Sequence, residues 1–125
     1  MGKSIILQET EDTPQVELDP ENNKFSISGR SLPEDTSEFY KPIINWMKAY
    51  VKQPNPYTEF QLKMEYFNSS SIKQIVTLLV ILSEIIKTGK EVKITWHYKE
   101  GDDLMEIKGR ELKSMIAVPF EAKVY

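Results

Sequence analysis

Residues 59 to 98 read as a strand, a long helix and a second strand, and this pattern limits the folds open to the chain more than any other feature. The runs EFQLKMEYF and EVKITWHY both alternate apolar and polar residues, which is typical of strands. The apolar stretch IVTLLVILSEII between them predicts a helix from about Ser70 to Lys87, with Gly89 as a natural stop. A crossover of this length most simply joins two parallel strands through a right-handed connection.

The alternation also predicts which sides of these two strands are buried. The residues expected on the apolar faces are Phe60, Leu62, Met64 and Tyr66 in the first strand, and Val92, Ile94, Trp96 and Tyr98 in the second. Polar residues occupy the positions between them, so each strand has one polar face. The sheet is therefore expected to be wet on one side and covered by helices on the other.

The rest of the chain supplies further short elements. A strand is predicted over residues 4–8, and the runs QVELD and KFSIS on either side of PENN predict a hairpin that buries Phe25 and Ile27. Near the end, LMEIKGRELKSM predicts a weak helix and VPFEAKV a last edge strand, where Pro119 is tolerated. The fold class expected from these elements is α/β (α+β), with a mixed β-sheet and helices packed mainly on one face.

The helix before the central strand has two possible starts. Ser31 and Glu34 have the spacing of a capping box, and Pro33 suits the first turn of a helix. A start at Thr36 or Ser37 is also possible. The apolar residues that then recur at helical spacing are Phe39, Ile43, Met47 and Tyr50.

Length and composition argue against several classes of protein. The 125 residues fit one compact domain, 1–125, with an ordinary balance of 40% hydrophobic and 28% charged residues. A net charge of -3 without a basic block argues against nucleic acid as the main partner. The absence of cysteine excludes disulfides and thiolate metal sites and suits a cytoplasmic protein. We expect no signal peptide and no membrane insertion, because the apolar stretch is short and interrupted by polar residues.

The run Asn68-Ser69-Ser70-Ser71 lies where the central strand ends and the long helix begins. One explanation is structural, since Asn68, Ser69 or Ser70 can cap the helix, which is worth about 1 kcal/mol. The other explanation is reversible phosphorylation, because one cap needs only one of these four side chains. A phosphate at the positive end of a helix is well tolerated, so it would change what the surface binds without unfolding the domain.

The long helix is more apolar than one buried face requires. Most residues from Ile75 to Ile86 are apolar, whereas packing one face against a sheet needs fewer. A neighbouring helix can cover the remaining apolar side chains. Alternatively, these side chains form an exposed apolar strip beside the serines that a partner protein uses.

A lone histidine and an acidic cluster raise the question of catalysis or metal binding. Ser69 could act as a nucleophile only with a general base nearby, and His97 is the only histidine. Asp102, Asp103 and Glu106 could attract a divalent cation, although acids are also common at helix starts. No nucleophile elbow, P-loop or histidine metal pair is present. A small hydrolase using Ser69 and His97 is therefore the less favoured alternative, and no catalytic residue, cofactor or metal is predicted.

Several landmarks along the chain together resemble the SiaC-type regulatory phosphoproteins, a bacterial family whose fold is similar to that of STAS-domain anti-sigma-factor antagonists. These landmarks are TPQVELD, GRSLPED, FYKPIINWMKAY, EYFNSSSIK, VKITWHY and VPF, and they run almost from end to end. The central EYFNSSSIK and GRSLPE are specific in combination, whereas WHY alone would be weak. The resemblance implies a single STAS-like domain.

The resemblance also implies a non-enzymatic protein that works by partner switching. In such systems a cognate serine/threonine kinase phosphorylates the central motif, and a metal-dependent serine/threonine phosphatase removes the phosphate. The unmodified form binds an effector, which in SiaC systems is a GGDEF-type diguanylate cyclase that promotes cyclic-di-GMP synthesis and biofilm formation. A constitutive interaction scaffold that is never phosphorylated, acting through the helix at 75–86, is the alternative.

The family motif reads Asn, then Thr or Ser, then Ser-Ser, and its phosphorylated position falls on Ser69. This sequence has serine where threonine is often found, so Ser70 and Ser71 are less favoured candidates. The residues that the resemblance implies in partner binding or in support of the motif are Tyr66, Asn68, Ser69, Ser70, Glu34 and Asp35.

Overall fold

Within residues 3–125, six strands form one mixed sheet, and their order across the sheet follows their order along the chain. These are the residues that the computed structural model describes, and Met1 and Gly2 lie outside them. In chain order the elements are β1 (Ile5–Leu7), β2 (Gln15–Asp19), β3 (Lys24–Ser31), α1 (Thr36–Tyr50), β4 (Tyr57–Phe67), α2 (Ser69–Leu82), β5 (Glu91–Tyr98), α3 (Asp103–Met115) and β6 (Phe120–Val124). A 3-10 segment, Ser83–Thr88, continues α2.

The sheet divides into an antiparallel part and a parallel part. Strands β1, β2 and β3 are antiparallel neighbours, and the predicted hairpin of β2 and β3 buries Phe25 and Ile27 as expected. Strands β3, β4, β5 and β6 run parallel, which confirms the predicted pairing of β4 with β5. The carboxyl ends of these four strands therefore lie at one edge of the sheet. Helices α2 and α3 both begin at that edge.

The helices cover one face of the sheet and leave the other open, as the alternation predicts. On β4, Phe60, Leu62 and Met64 are buried in a core that strands and helices share. The open face carries the polar residues of β4 and β5. Thr95 is buried there, and its hydroxyl donates a hydrogen bond to Oε2 of Glu59 at 2.8 Å. The expected α/β architecture is confirmed.

The capping box predicted at Ser31 and Glu34 is wrong. Ser31 is the last residue of β3 and is fully buried. Helix α1 begins instead at Thr36, the second start that the sequence allowed, and Asp35 is its N-cap. The side chain of Asp35 accepts a hydrogen bond from the backbone N–H of Glu38 at 3.0 Å. The spacing was misleading because the strand continues through the serine that resembled a cap.

The prediction that Tyr66 lies on the buried face of β4 is wrong. Strands β3 and β4 pair regularly up to Gly29 and Met64, after which Arg30 pairs with Tyr66. Strand β4 therefore contains one extra residue, Glu65, and this β-bulge shifts the alternation of the residues that follow. As a result Tyr66 is 43% exposed. The guanidinium carbon of Arg30 lies 5.3 Å from the centre of its ring.

Helix α2 and its 3-10 extension span Ser69–Thr88, close to the predicted range, and Gly89 ends them with a φ of 82°. Glycine adopts this left-handed conformation readily, so the predicted stop is confirmed. The whole segment is long and apolar enough to cross a membrane by length and composition alone, so its length does not exclude membrane insertion. Its buried apolar side chains belong to the shared core, as expected of a core helix. They are Ile75, Leu78, Leu79, Leu82 and Ile85.

Candidate functional site at the start of α2

Asn68 provides the side-chain cap of α2. Its Oδ1 accepts a hydrogen bond from the backbone N–H of Ser71 at 2.8 Å, and the hydroxyl of Ser70 donates to the same oxygen at 3.3 Å. Of the residues that could have capped the helix, the asparagine does so. Capping therefore explains Asn68 but not the three serines that follow it.

Ser71 belongs to a buried network of hydroxyl groups. Oγ of Ser31 donates to Oγ of Ser71 at 2.9 Å, and the hydroxyl of Tyr40 lies 2.6 Å from Oγ of Ser31. Burial raises the pKa of Tyr40 to about 12. The backbone N–H of Asn68 also donates to the carbonyl of Ser31 at 3.0 Å. These bonds fasten the start of α2 to the end of β3 and to α1.

The three serines of the junction have different environments. Ser71 is fully buried, whereas Ser69 and Ser70 are exposed. Ser70 is turned toward the cap through its hydrogen bond to Asn68. Ser69 is the first residue of the helix. Only the first two serines are therefore open to another protein in the folded state.

The electrostatics of this helix start favour an added negative charge. The first turn of α2 contains no acidic residue, whereas the first turn of α1 contains Glu38 and that of α3 contains Asp103 and Glu106. The free N–H groups and the helix dipole give the beginning of a helix a partial positive charge. In α2 that charge is not balanced by an acidic side chain. A phosphate on Ser69 would lie in this field.

The other residues predicted in partner binding lie at the end of β4 and directly before α1. Tyr66 is exposed at the end of β4, below Arg30. Glu34 and Asp35 are exposed and border an open depression of about 800 Å³ at the start of α1. Hydrogen bonds join Ser31, the last residue of β3, to Ser71 and Asn68. Among the described residues, no hydrogen bond joins Glu34 or Asp35 to Asn68 or the three serines.

The structure does not bring together Ser69 and His97, the pair that a hydrolase would need. His97 lies on the open face of the sheet, where its Nε2 is 2.9 Å from Oε1 of Gln61. Partial burial, together with the nearby Lys123 and Lys63, lowers the pKa of His97. Ser69 begins a helix on the opposite face. The base is therefore not positioned to activate the serine hydroxyl.

The acidic residues after β5 support helix α3. Asp102 is its N-cap and accepts a hydrogen bond from the backbone N–H of Met105 at 3.1 Å. Glu106 forms an ion pair with Arg110 at 2.7 Å. Among residues 3–125, no group of three or more His, Cys, Asp or Glu side chains is placed to hold a metal ion. The acidic cluster thus has a structural explanation.

Reasoning from the sequence missed Ser31 and Tyr40 as supports of the junction. The predicted apolar stripe of α1 began at Phe39, whereas Tyr40 is the residue that is fully buried. Ser31 and Ser71 are separated by 40 residues, so no local pattern joins them. The one available signal was a tyrosine beside a buried helix face, because a buried tyrosine hydroxyl usually needs a partner.

Known proteins share this fold over nearly the whole chain. The family model for SiaC family regulatory phosphoproteins matches residues 7–125. SiaC of Pseudomonas aeruginosa has a TM-score of 0.87 and 25% identity, covering 99% of this chain and 100% of that chain. A second structure from Pseudomonas aeruginosa shows the diguanylate cyclase SiaD in complex with its activator SiaC. The match has a TM-score of 0.89 and 26% identity, and it covers 97% of this chain and 99% of that chain. An uncharacterized protein of Pseudomonas aeruginosa strain UCBPP-PA14 is 27% identical over 116 residues, or 93% of this chain and 92% of that protein.

The landmarks in the sequence and the architecture thus agree. The mixed sheet of six strands with three helices matches the fold of SiaC. The family model begins in β1 and extends to the last residue, so it includes the junction at Ser69. The resemblance drawn from EYFNSSSIK and GRSLPED is confirmed. The chain belongs to the SiaC family of regulatory phosphoproteins.

Proposed function

We propose that this protein is a non-enzymatic activator of a GGDEF-type diguanylate cyclase, and that reversible phosphorylation of Ser69 controls the interaction. The observation that carries the proposal is the position of Ser69, an exposed first residue of a helix that Asn68 already caps. Membership of a regulatory phosphoprotein family supports the modification. The partner is suggested by Pseudomonas aeruginosa SiaC, which is the activator of the cyclase SiaD.

Ser69 is the serine best suited to accept a phosphate. The hydroxyl of Ser71 is fully buried and bonded to Ser31, so a kinase could reach it only if the fold opened. Ser70 is exposed, but its hydroxyl already donates to the cap. Ser69 offers an accessible hydroxyl at the end of the helix where negative charge is most favourable.

Phosphorylation at this position controls binding rather than folding. A phosphoserine carries about -1.5 to -2 charges at pH 7. The uncompensated start of α2 accommodates that charge, since no acidic side chain lies in the first turn. A partner that docks over the junction would have to desolvate the phosphate or supply cations for it. The unmodified protein is therefore the form that binds and activates the cyclase.

The proposal includes two enzymes that set the state of Ser69. A cognate serine/threonine kinase adds the phosphate, and a metal-dependent serine/threonine phosphatase removes it, in the cytoplasm where cyclic-di-GMP is made. Tyr66, Asn68, Ser70, Glu34 and Asp35 form the surroundings that these partners and the cyclase contact. The output is control of cyclic-di-GMP and, through it, of biofilm formation.

The test begins with protein recovered from its own host in free-swimming and surface-attached growth. Peptide mapping should find a phosphate on Ser69 whose occupancy differs between the two states. Ser69→Ala should abolish the modification, and the neighbouring Ser70→Ala should leave it in place. Each GGDEF cyclase of the host, purified individually, is then assayed for cyclic-di-GMP formation with the unmodified protein. We expect activation of one cyclase by wild type and by Ser69→Ala.

A constitutive scaffold is the second candidate function. It is favoured by apolar side chains that remain exposed in the segment 75–86, where Val80 is 52% exposed and Ile86 is 51% exposed. Such a surface could hold a partner whether or not Ser69 is modified. Absence of phosphate in both growth states, together with cyclase binding by the unmodified protein, would replace the switch with this scaffold. Failure of every host cyclase to respond would contradict the proposed partner.

A further inference from the structure

Strand β6 forms one edge of the sheet, and within residues 3–125 it pairs with a single strand, β5. At the start of that pair the carbonyl of Pro119 accepts a hydrogen bond from the N–H of Ile94. At its end the N–H of Tyr125 donates to the carbonyl of Tyr98. In a parallel pair, alternate residues direct their backbone groups to the same neighbour. The backbone groups of residues 119, 121, 123 and 125 therefore face β5, and those of residues 120, 122 and 124 face outward.

The side chains of β6 alternate between the two faces of the sheet. Those that follow the core face of β5 are Phe120, Ala122 and Val124, and those on the open face are Glu121 and Lys123. Phe120 is buried, whereas Val124 is 51% exposed. The open face of this edge thus carries one acid and one base, placed on either side of Ala122.

Both charged side chains of β6 can accept a further partner. Oε1 of Glu121 pairs with Lys93 at 2.8 Å, which leaves Oε2 for a second cation. Lys123 is exposed. The ion pairs formed within residues 3–125 do not include Lys123. The edge therefore offers a carboxylate oxygen and an ammonium group together with a row of outward backbone groups.

A second β6 that runs antiparallel to the first and is centred on Ala122 satisfies all of these groups. The two Ala122 residues face outward, so they can exchange both of their backbone hydrogen bonds. Glu121 then lies opposite Lys123 of the partner subunit, and Lys123 lies opposite Glu121 of the partner subunit. Such positions form a non-hydrogen-bonded pair, in which the Cα atoms are about 4.5 Å apart and the side chains interact directly.

The same charges disfavour other registers of this pair. A shift by two residues in one direction places Glu121 opposite Glu121 of the partner subunit. A shift by two residues in the other direction places Lys123 opposite Lys123 of the partner subunit. Like charges directly opposite each other are destabilising. Charged residues often protect an edge strand from pairing, and here they leave one complementary register.

We propose that the outer edge of β6 is a homodimer interface, where two copies of this chain join their six-stranded sheets into one across a two-fold axis at Ala122. The occupant is a second copy because the charge pattern of the strand is complementary to itself. A two-fold contact is closed, so it gives a dimer and not a fibre. The opposite edge, β1, has only the three residues Ile5–Leu7 and no charge to set a register. The dimer depends on neither the cyclase nor the modification proposed above.

The first test reverses the charges on β6. Lys123→Glu places two acids opposite each other in the homodimer, and Glu121→Lys places two bases there. Sedimentation equilibrium should show a monomer–dimer equilibrium for wild type and a dissociation constant raised about tenfold or more in each variant. Lys48→Glu makes the same charge change on α1, where residue 48 is also exposed, and should change the constant by less than about threefold. Thermal unfolding should confirm that all three variants fold.

Mixing the two reversed variants gives the matched control. In a heterodimer of Lys123→Glu with Glu121→Lys, every acid again lies opposite a base. An equimolar mixture should therefore dimerise at concentrations at which each variant alone is a monomer. Lys48→Glu in place of Lys123→Glu should not restore dimers with Glu121→Lys.

The register is tested by cross-linking, because the chain has no cysteine of its own. In the proposed pair the two Ala122 Cα atoms lie about 5.5 Å apart, a distance that a disulfide spans. Ala122→Cys should therefore form a covalent dimer under mild oxidation. Val124→Cys, at the more exposed position, should not, since each Val124 lies opposite Phe120 of the partner subunit.

Each contrary result overturns the proposal. A wild-type protein that stays monomeric up to its solubility limit would exclude the dimer. Dimers that respond equally to Lys123→Glu and Lys48→Glu, or that mixing fails to restore, would place the interface elsewhere than β6. A disulfide from Val124→Cys without one from Ala122→Cys would contradict the two-fold axis at Ala122. None of these results bears on activation of a cyclase, so the dimer and the proposed function can fail separately.

Discussion

The starts of α2 and α3 lie at the same edge of the sheet, and each needs a hydrogen-bond acceptor for the free N–H groups of its first turn. The two helices meet this need with side chains of different charge. At α3 the cap is Asp102, and Asp103 and Glu106 add two further acids in the first turn. At α2 the cap is the neutral Asn68, and the first turn has no acid. The dipole of α3 is thus already compensated, whereas that of α2 is open to an added anion. We therefore expect the fold to tolerate a phosphate on Ser69.

A second difference concerns how each start is held in place. The start of α3 is capped by the residue that directly precedes it, through a bond from Met105 to Asp102. The start of α2 is also tied to distant elements, because Ser71 bonds Ser31, which in turn lies next to Tyr40. The α2 start is therefore rigidly positioned and electrically unbalanced at once. These two properties suit a modification site that must be accessible without unfolding.

The largest effect is expected when a negative charge enters the α2 start at the wrong serine. Ser71→Asp would bury a carboxylate among hydroxyl groups and core side chains, and we expect it to lower the free energy of unfolding by more than about 3 kcal/mol. Ser70→Asp, at the neighbouring exposed position, should change it by less than about 1 kcal/mol. Urea denaturation measures both. Similar, small effects of the two changes would mean that Ser71 is not buried.

Removing the phenolic hydroxyl tests the link between α2 and α1. Tyr40→Phe should lower the free energy of unfolding by about 1–2 kcal/mol, since a buried hydrogen bond is lost. Hydrogen exchange should show faster exchange of the Ser71 amide and no change at the Met105 amide, which belongs to the self-contained start of α3. Equal effects on the two amides would remove the distinction between the two helix starts.

The caps themselves should be of similar strength but of different character. Asn68→Ala and Asp102→Ala should each lower the free energy of unfolding by about 1 kcal/mol. The loss for Asp102→Ala should shrink in high salt, because part of it is the interaction of a charge with the helix dipole. The loss for Asn68→Ala should persist. An identical response to salt would contradict the electrostatic difference between the two sites.

The smallest change in the free energy of unfolding is expected from exchanging the first residues of α2 and α3, and each variant serves as the control for the other. Ser69 and Asp103 are each the first residue of their helix. Ser69→Asp should raise the free energy of unfolding by about 0.3–1 kcal/mol at low salt, and Asp103→Ser should lower it by a similar amount. Thermal unfolding of both variants, repeated in high salt, tests this. Destabilisation by Ser69→Asp would mean that the α2 start does not accommodate negative charge.

Periodicity predicted most of the fold because one face of the sheet is buried and the other is open, which requires apolar and polar residues to alternate along β4 and β5. It failed where tertiary contacts overrode the local pattern. Ser31 resembled a helix cap, but β3 extends through it and its hydroxyl bonds Ser71. Tyr66 fitted the apolar face, but the bulge at Glu65 turned it outward. Neither a β-bulge nor a contact between distant residues can be recognised from the spacing of apolar residues along the sequence.

The site was predictable in part for a similar reason. The motif at 68–71 located the junction. Its local sequence also predicted a helix cap there and a helix end that tolerates negative charge. Ser69 remains a prediction as the modified residue, supported by its exposure. The separation of Ser71 from its two neighbours depends on Ser31 and Tyr40, and therefore on the assembled fold.

The central claim is that one phosphate changes binding and leaves the fold intact. The most direct measurement uses protein with phosphoserine installed at residue 69, and determines its affinity for the host cyclase and its free energy of unfolding in the same buffer. We predict that affinity falls by about tenfold or more while the free energy of unfolding stays within about 1 kcal/mol of the unmodified value. Unchanged affinity, or lost affinity accompanied by several kcal/mol of destabilisation, would contradict the account.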